Sequence, residues 1–177
     1  MTISADTVRV FFALWPDNDG RNALACWPSL LPCKGRAMKA ATLHATLVFL
    51  GEVGVDRLEA LQLVAEELVG RPFELCFDQA RYWGHNHIVY AAPSNIPDEL
   101  SHLVFELQEN LIRHRFAFDR RVYKPHVTLL RNVSWTDEPL PAVVEPVCWK
   151  VEDFVLLQSG RGEVDYTVLA RFPLSSL

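Results

Sequence analysis

Along the chain the hydrophobic positions switch between strand and helix periods, and the switches mark out the elements. Arg9-Val10-Phe11-Phe12-Ala13-Leu14 is rich in β-formers and ends at Trp15-Pro16, which predicts a buried strand. Asp17 to Trp27 predicts a short helix, capped by Asp17 or Asn18 and stopped by Pro28. Leu43 to Leu50 is apolar on both faces and closes at Gly51, the pattern of a central strand covered on both sides. Asp56 to Val69 puts Leu58, Leu61, Ala65 and Leu68 on one helical face, and Asp56-x-x-Glu59 has the spacing of a capping box.

In the second half, Phe73, Leu75 and Phe77 alternate with polar positions, while Tyr82-Trp83 and Ile88-Val89-Tyr90 flank a Gly84-His85-Asn86 turn. Together they predict a meander or hairpin. Pro97 to His114 carries Leu100, Leu103, Val104, Leu107 and Leu111 at helical spacing, with Pro97 suited to the first turn. Further strands are predicted near 126 to 131, 147 to 157 and 164 to 172, around a proline-rich loop from Pro139 to Pro146. Runs of strands between helices predict an α+β architecture rather than strict βαβ winding.

Composition narrows the picture. A chain of 177 residues with 50% hydrophobic and 22% charged residues is expected to form one unit, residues 1–177. At that length it buries about 70% of its unfolded surface, so neither disulfide nor structural metal is required. Cys26, Cys33, Cys76 and Cys148 form no C-x-x-C pair, and reduced, mostly buried thiols are the expectation. The formal net charge of -5 excludes a protein that coats nucleic acid through bulk charge, so any such contact must be local. With no leader-like segment and no apolar run long enough to span a bilayer, the expected setting is cytoplasmic and the expected state a monomer.

The most informative feature is an internal echo. His44-Ala45-Thr46-Leu47 and His126-Val127-Thr128-Leu129 share His-x-Thr-Leu at the head of a predicted strand, about half the chain apart. Residues i and i+2 of a strand project to one face, so each segment offers an imidazole beside a hydroxyl. If the two halves pack about a pseudo-twofold axis, the four side chains converge on one cleft. Two opposed imidazoles suit in-line displacement at phosphorus, one taking a proton from the attacking oxygen and the other giving one to the leaving oxygen. The hydroxyls can donate to the non-bridging oxygens as charge builds.

Other chemistries fit less well. No G-x-S-x-G elbow exists, and Ser159 lacks nucleophile context. Zinc would need further Asp, Glu or His at the cleft, and threonine is a poor ligand. His85-x-His87 sits at a turn and is expected at a solvated hairpin tip, while His102 and His114 are expected on the surface of the long helix. Arg113, Arg115, Arg120, Arg121 and Lys124 run into the second motif, which ends in Arg131. Arg113 and Arg115 suit a helix C-terminus, whereas Lys124 and Arg131 bracket His126 and suit phosphate attraction.

These motifs and their flanks, namely the Arg9 to Leu14 strand, Leu43 to Gly51, Lys124-Pro125-His126-Val127-Thr128-Leu129-Leu130-Arg131 and a closing Ser159 to Tyr166 stretch, resemble the 2H phosphoesterase superfamily. More narrowly, the chain is similar to the bacterial RNA 2',3'-cyclic phosphodiesterases once described as 2'-5' RNA ligases. The resemblance implies a bilobal fold of two pseudo-symmetric lobes, each an antiparallel sheet with helices packed outside, facing each other across a central active-site groove. It implies no metal and no cofactor, His44 as proton donor, His126 as proton acceptor, and Thr46 and Thr128 as phosphate-binding residues. Thr42-Leu43 stands where the family pattern has Asn-Leu, a departure that touches local contacts.

The implied substrates are RNA 3' ends or short oligonucleotides with a 2',3'-cyclic phosphate, opened to the 2'-phosphomonoester, with no membrane and no obligate protein partner. A non-catalytic RNA-end binding module, or a phosphodiesterase or ligase of 2'-5' linkages, would use the same residues. Trp15, Phe49, Tyr82, Trp83 and Tyr123 are aromatic faces available either for stacking a base or for core packing.

Overall fold

A computed structural model describes residues 6–134, 140–142, 145–160 and 165–175. Its order is β1 (Thr7–Leu14), α1 (Asn18–Cys26), β2 (Lys34–Ala37), β3 (Ala45–Gly54), α2 (Leu58–Glu66), β4 (Phe73–Phe77), β5 (Gln79–Trp83), β6 (Ile88–Ala92), α3 (Asp98–Arg113), β7 (Val127–Ser134), β8 (Val147–Val151), β9 (Asp153–Ser159) and β10 (Tyr166–Pro173). The fold is α+β, as the interleaved periods predict, and its strand pairings are antiparallel, as the family resemblance implies.

Eight strands form one continuous sheet in the order β10-β9-β1-β3-β7-β6-β5, with β2 paired to β7. Its two halves meet at a single registered pair, Ala45 opposite Val127. Alternation on β1 divides the structure into layers: Val10, Phe12 and Leu14 enter the main core, whereas Phe11 and Ala13 join a smaller cluster with Val155 and Leu157 on the opposite face. The main core packs that inner face against α2 and α3, whose Leu61, Val64, Ala65, Leu100, Leu103, Leu107 and Leu111 are buried.

The strand containing the first motif departs from a regular ladder. Thr46 pairs with Ala13, Val48 with Phe12 and Phe49 with Phe11, so Leu47 is an extra residue on β3. That bulge reverses the facing after Thr46: Thr46 stays opposite the groove-facing Ala13, while Val48 turns into the core. The segment therefore reads as apolar on both faces although one face carries Thr46 and Phe49 into a cavity. Nor does Gly51 close the strand. It sits within β3 at a second irregularity with φ of 77°, a conformation that favours glycine, and pairing continues to Gly54.

Other expectations need correction. Asp56 and Glu59 form no capping box; a 3-10 turn, Val55–Arg57, leads directly into α2, and Arg57 at the cap position makes no side-chain capping bond. α1 is capped by Asp17, which accepts from the Gly20 amide at 2.7 Å, but Pro28 lies inside a 3-10 turn, Trp27–Leu30, that extends the helix. Pro97 is the cap residue of α3 rather than part of its first turn. β5 and β6 form the expected hairpin around 84–87, whereas β4 leaves it to pair with β8 in a separate two-stranded ribbon. The span 147 to 157 is two strands, and of the proline-rich loop 139, 143 and 144 lie outside the described residues.

The ribbon also overturns the expectation of reduced thiols. Phe73, Leu75, Phe77, Val147, Trp149 and Val151 face the core, with Phe77 and Trp149 stacked at 5.3 Å, so Cys76 and Cys148 both face outward. They are directly opposite each other and form a disulfide across a sequence separation of 72, which leaves Cys26 exposed and Cys33 buried as free thiols. Spacing along the chain gave no hint of this pair because a strand register brings it together.

Titration of the unreduced, denatured protein with a thiol reagent is expected to find two reactive cysteines; four would show that the cross-strand bond does not form. Replacing Cys76 and Cys148 together by serine is expected to lower the unfolding free energy by about 2 to 4 kcal/mol, read from urea unfolding without reductant.

Candidate active site

Both histidines immediately precede the single pair that joins the half-sheets. Ala45 and Val127 are fully buried and point into the core, so their neighbours on either side point the other way. An antiparallel register centred on this pair sets His44 across from Thr128 and Thr46 across from His126. The two motifs share one burial rhythm: Leu43, Ala45 and Leu47 are buried around half-buried His44 and Thr46, and Pro125, Val127 and Leu129 are buried around half-buried His126 and Thr128. All four polar side chains line one cavity of about 390 Å³. The convergence expected from the repeated motif is what the structure brings together.

Each ring is held in the same way. His44 Nδ1 lies 2.8 Å from the carbonyl oxygen of Thr42, and His126 Nδ1 lies 2.7 Å from that of Lys124. A carbonyl only accepts, so Nδ1–H donates in both rings and Nε2 is left as the nitrogen free for proton transfer. Thr42 is itself buried, with its hydroxyl donating to the Lys39 carbonyl at 2.8 Å, so the departure from the family pattern at this position falls on the turn that orients His44.

Aromatic rings complete each mount. Phe11 and Tyr166 lie 5.0 Å from the His44 ring, Tyr166 edge-on, and Trp15 lies nearly parallel to it at 6.3 Å. Trp83 meets His126 edge-on at 4.6 Å and Tyr90 does so at 5.7 Å. Of the aromatic faces considered from sequence, Trp15 and Trp83 thus serve as walls for the imidazoles, and Phe49 lines the cavity beneath the Arg9 guanidinium at 5.0 Å. Tyr123 packs against the main core with its hydroxyl buried and unpartnered, and burial pushes that phenol well above its ordinary pKa. Tyr82 approaches His87 at the hairpin tip.

Burial pushes the His44 imidazole down to about 4; the Thr42 hydrogen bond works upward, and the charges of His126 and Arg131 work further downward. Burial also lowers His126, opposed by the Lys124 carbonyl and assisted by Arg131. Desolvation thus favours the neutral form of both rings.

Arg131 lines the cavity, as its position after the second motif suggested. Its strand is approached closely by β2, where a Cβ on Gly35 would come 2.8 Å from the Arg131 carbonyl, so glycine permits the pairing that backs this residue. Lys124 does not line this cavity; its backbone orients His126 while its side chain is exposed along an adjoining groove. Arg9, Phe11, Met38, Thr42, Ser159, Gly160 and Tyr166 line the cavity without having been picked out individually as site residues. Arg9, Phe11, Thr42, Ser159, Gly160 and Tyr166 carried no signal beyond membership of the segments that resemble the family, and Met38 carried none. Of the closing stretch, Ser159, Gly160 and Tyr166 reach the cavity, and 161–164 lie outside the described residues. Among the described residues no three His, Cys, Asp or Glu side chains come together as a metal set.

The buried imidazoles link the site to stability. The unfolded chain takes up a proton on His44 near pH 6.5 and the folded chain only near 4, so stability is expected to fall as pH drops through that window, by up to about 3 kcal/mol. Urea unfolding across this range should show a smaller loss for His44→Gln than for the unaltered protein; equal losses would mean that the buried ring is not the cause.

The arrangement matches known proteins over nearly its whole length. The family model of the 2'-5' RNA ligase superfamily matches residues 32–163. The RNA 2',3'-cyclic phosphodiesterase of Escherichia coli strain K12 is 32% identical over 171 residues, covering 94% of this chain and 97% of that protein. An RNA 2',3'-cyclic phosphodiesterase of Archaeoglobus fulgidus is 28% identical over 131 residues, 70% of this chain and 72% of that one. The crystal structure of E. coli LigT complexed with 3'-AMP superposes with a TM-score of 0.86 at 30% identity, covering 97% of this chain and 100% of that one. With two His-x-Thr strand heads converging on one cavity and a match of this extent, the chain belongs to the 2'-5' RNA ligase superfamily of 2H phosphoesterases.

Proposed function

We propose that this protein is a metal-independent RNA 2',3'-cyclic 3'-phosphodiesterase that opens the cyclic phosphate to a 2'-phosphomonoester with His44 and His126 as acid and base. The observation that carries the reading is the diagonal placement of two imidazoles and two threonine hydroxyls around one strand pair, in a cavity with Arg131 beside them. Support also comes from relatives that are RNA 2',3'-cyclic phosphodiesterases. We read residues 1–177 as one domain of two pseudo-repeated lobes, each contributing one motif.

In this mechanism His126 Nε2 takes a proton from water as it attacks phosphorus, and His44 Nε2 gives a proton to the departing 3' oxygen. Thr46 and Thr128 donate to the non-bridging oxygens, and the Arg131 guanidinium offsets the charge gained in the transition state. Lys124 adds positive potential near the mouth. Burial disfavours a proton on His44, so His44 acts as acid once the substrate anion has drawn a proton onto it, which an anion beside the ring favours.

His44→Ala and His126→Ala are each expected to lower turnover by roughly 100- to 10,000-fold, with activity on a 2',3'-cyclic mononucleotide retained in EDTA. Phosphorus NMR of the product identifies the ester bond cut; a 3'-phosphomonoester, full activity in either variant, or loss on chelation would each refute this mechanism. A substrate with sulfur as the 3' leaving atom needs no acid, so it should restore His44→Ala and not His126→Ala. The opposite pattern would exchange the two roles. Thr46→Val and Thr128→Val should lower kcat by roughly 10- to 1,000-fold with little change in fold, judged by circular dichroism.

A further inference from the structure

The cavity that holds the histidines continues into a second arm. A groove of about 660 Å³ shares Arg9, Thr46, Phe49, His126, Thr128 and Arg131 with the first cavity, then runs between the 84–87 hairpin tip and the 119–124 segment. The first cavity, at about 390 Å³, has room for a terminal nucleotide but not for the chain that precedes it. The arm opens from the residues that the two cavities share.

Its lining differs from the rest of the surface. Arg9, Arg121, Lys124 and Arg131 supply four cationic side chains against one carboxylate, Asp119, in a protein of net charge -5. Asp119 Oδ2 accepts from Arg121 Nε at 2.8 Å and lies 2.7 Å from Arg121 Nη2, yet the Arg121 side chain is 86% exposed. Next to it Val122 is 85% exposed, the most exposed large hydrophobic residue of the described chain, and across the groove Trp83 reaches the arm from the His126 side. Cationic side chains beside an uncovered apolar one and an indole are the complement of a single-stranded polyanion carrying flat bases.

We propose that this arm binds the one or two nucleotides on the 5' side of the cyclic phosphate, making the protein selective for oligonucleotide ends over free cyclic mononucleotides. This rests on the phosphodiesterase reading given above and adds chain-length selectivity to it. Arg121 takes a backbone phosphate and Val122 a base face, while the terminal ribose and phosphate stay in the first cavity.

The test compares a 2',3'-cyclic mononucleotide with a cyclic-ended RNA trinucleotide, using the intact protein and the variants Arg121→Glu and Val122→Asp. KM for the trinucleotide is expected to be about tenfold lower than for the mononucleotide at low salt, with the gap closing as salt is raised. Each variant should raise KM for the trinucleotide by roughly tenfold and leave the mononucleotide unchanged. Equal effects on both substrates would mean that the arm holds the terminal nucleotide itself, and a wild type indifferent to length would remove the arm altogether; either overturns the proposal. Fluorescence anisotropy of a labelled trinucleotide ending in a phosphate keeps the two readings apart. Length-dependent binding lost in Arg121→Glu without any turnover would uphold the arm and reject the enzyme, whereas turnover without length-dependent binding would do the reverse.

Discussion

One cross-strand pair carries the geometry of the site. Ala45 and Val127 join the two halves of the sheet, and both are fully buried. A pleated strand must alternate, so burying these two side chains forces His44, Thr46, His126 and Thr128 onto the opposite face. A slip of one residue at this joint would turn all four into the core and two apolar side chains into the groove, at the cost of several unpaired polar groups. The main core beneath, with Leu47, Leu129, Leu100 and Leu107, holds the register against that slip. The same burial that stabilises the fold thus aims the imidazoles into the cavity.

The surroundings of the rings then set their chemistry. Backbone carbonyls two residues back fix the tautomer of both histidines, and aromatic walls limit ring rotation while withholding water. Desolvation keeps the imidazoles neutral at ordinary pH, which suits a base but not an acid. An anion entering the cavity reverses this balance by making imidazolium favourable.

Outside the groove the helices and the β4–β8 ribbon form the supporting layer. Phe77 stacked on Trp149 seals one part of the core, and the buried amide of Asn110 on α3 donates from Nδ2 to the Val64 carbonyl on α2 at 3.3 Å. Arg57 bridges the start of α2 to the end of α3, bonding the His114 carbonyl at 3.2 Å and lying over Phe116 at 4.0 Å. His114 pairs with Glu67 at 3.2 Å, in keeping with a surface role for that histidine.

Much of this was legible in the sequence because it depends on local periodicity. The α3 stripe of Leu100, Leu103, Val104, Leu107 and Leu111 is a helix wherever it is placed, and two His-x-Thr strand heads announce a shared site by repetition alone. That each motif sets its histidine and threonine on one face follows from the two-residue strand period. What only the tertiary structure decided depends on register and on contacts distant in sequence. The Leu47 bulge turns Val48 inward, β4 finds β8 rather than its neighbour in sequence, and that register sets Cys76 against Cys148. Arg9, Tyr166 and Ser159 reach the cavity because β1, β9 and β10 follow one another in the sheet beyond β3; their segments belong to the family pattern, but neither periodicity nor spacing singles the three residues out. The sequence determined which side chains could do the chemistry, since composition and spacing are local properties. The pairing of distant strands decided how those side chains face one another, because a strand's partner is chosen by the whole core.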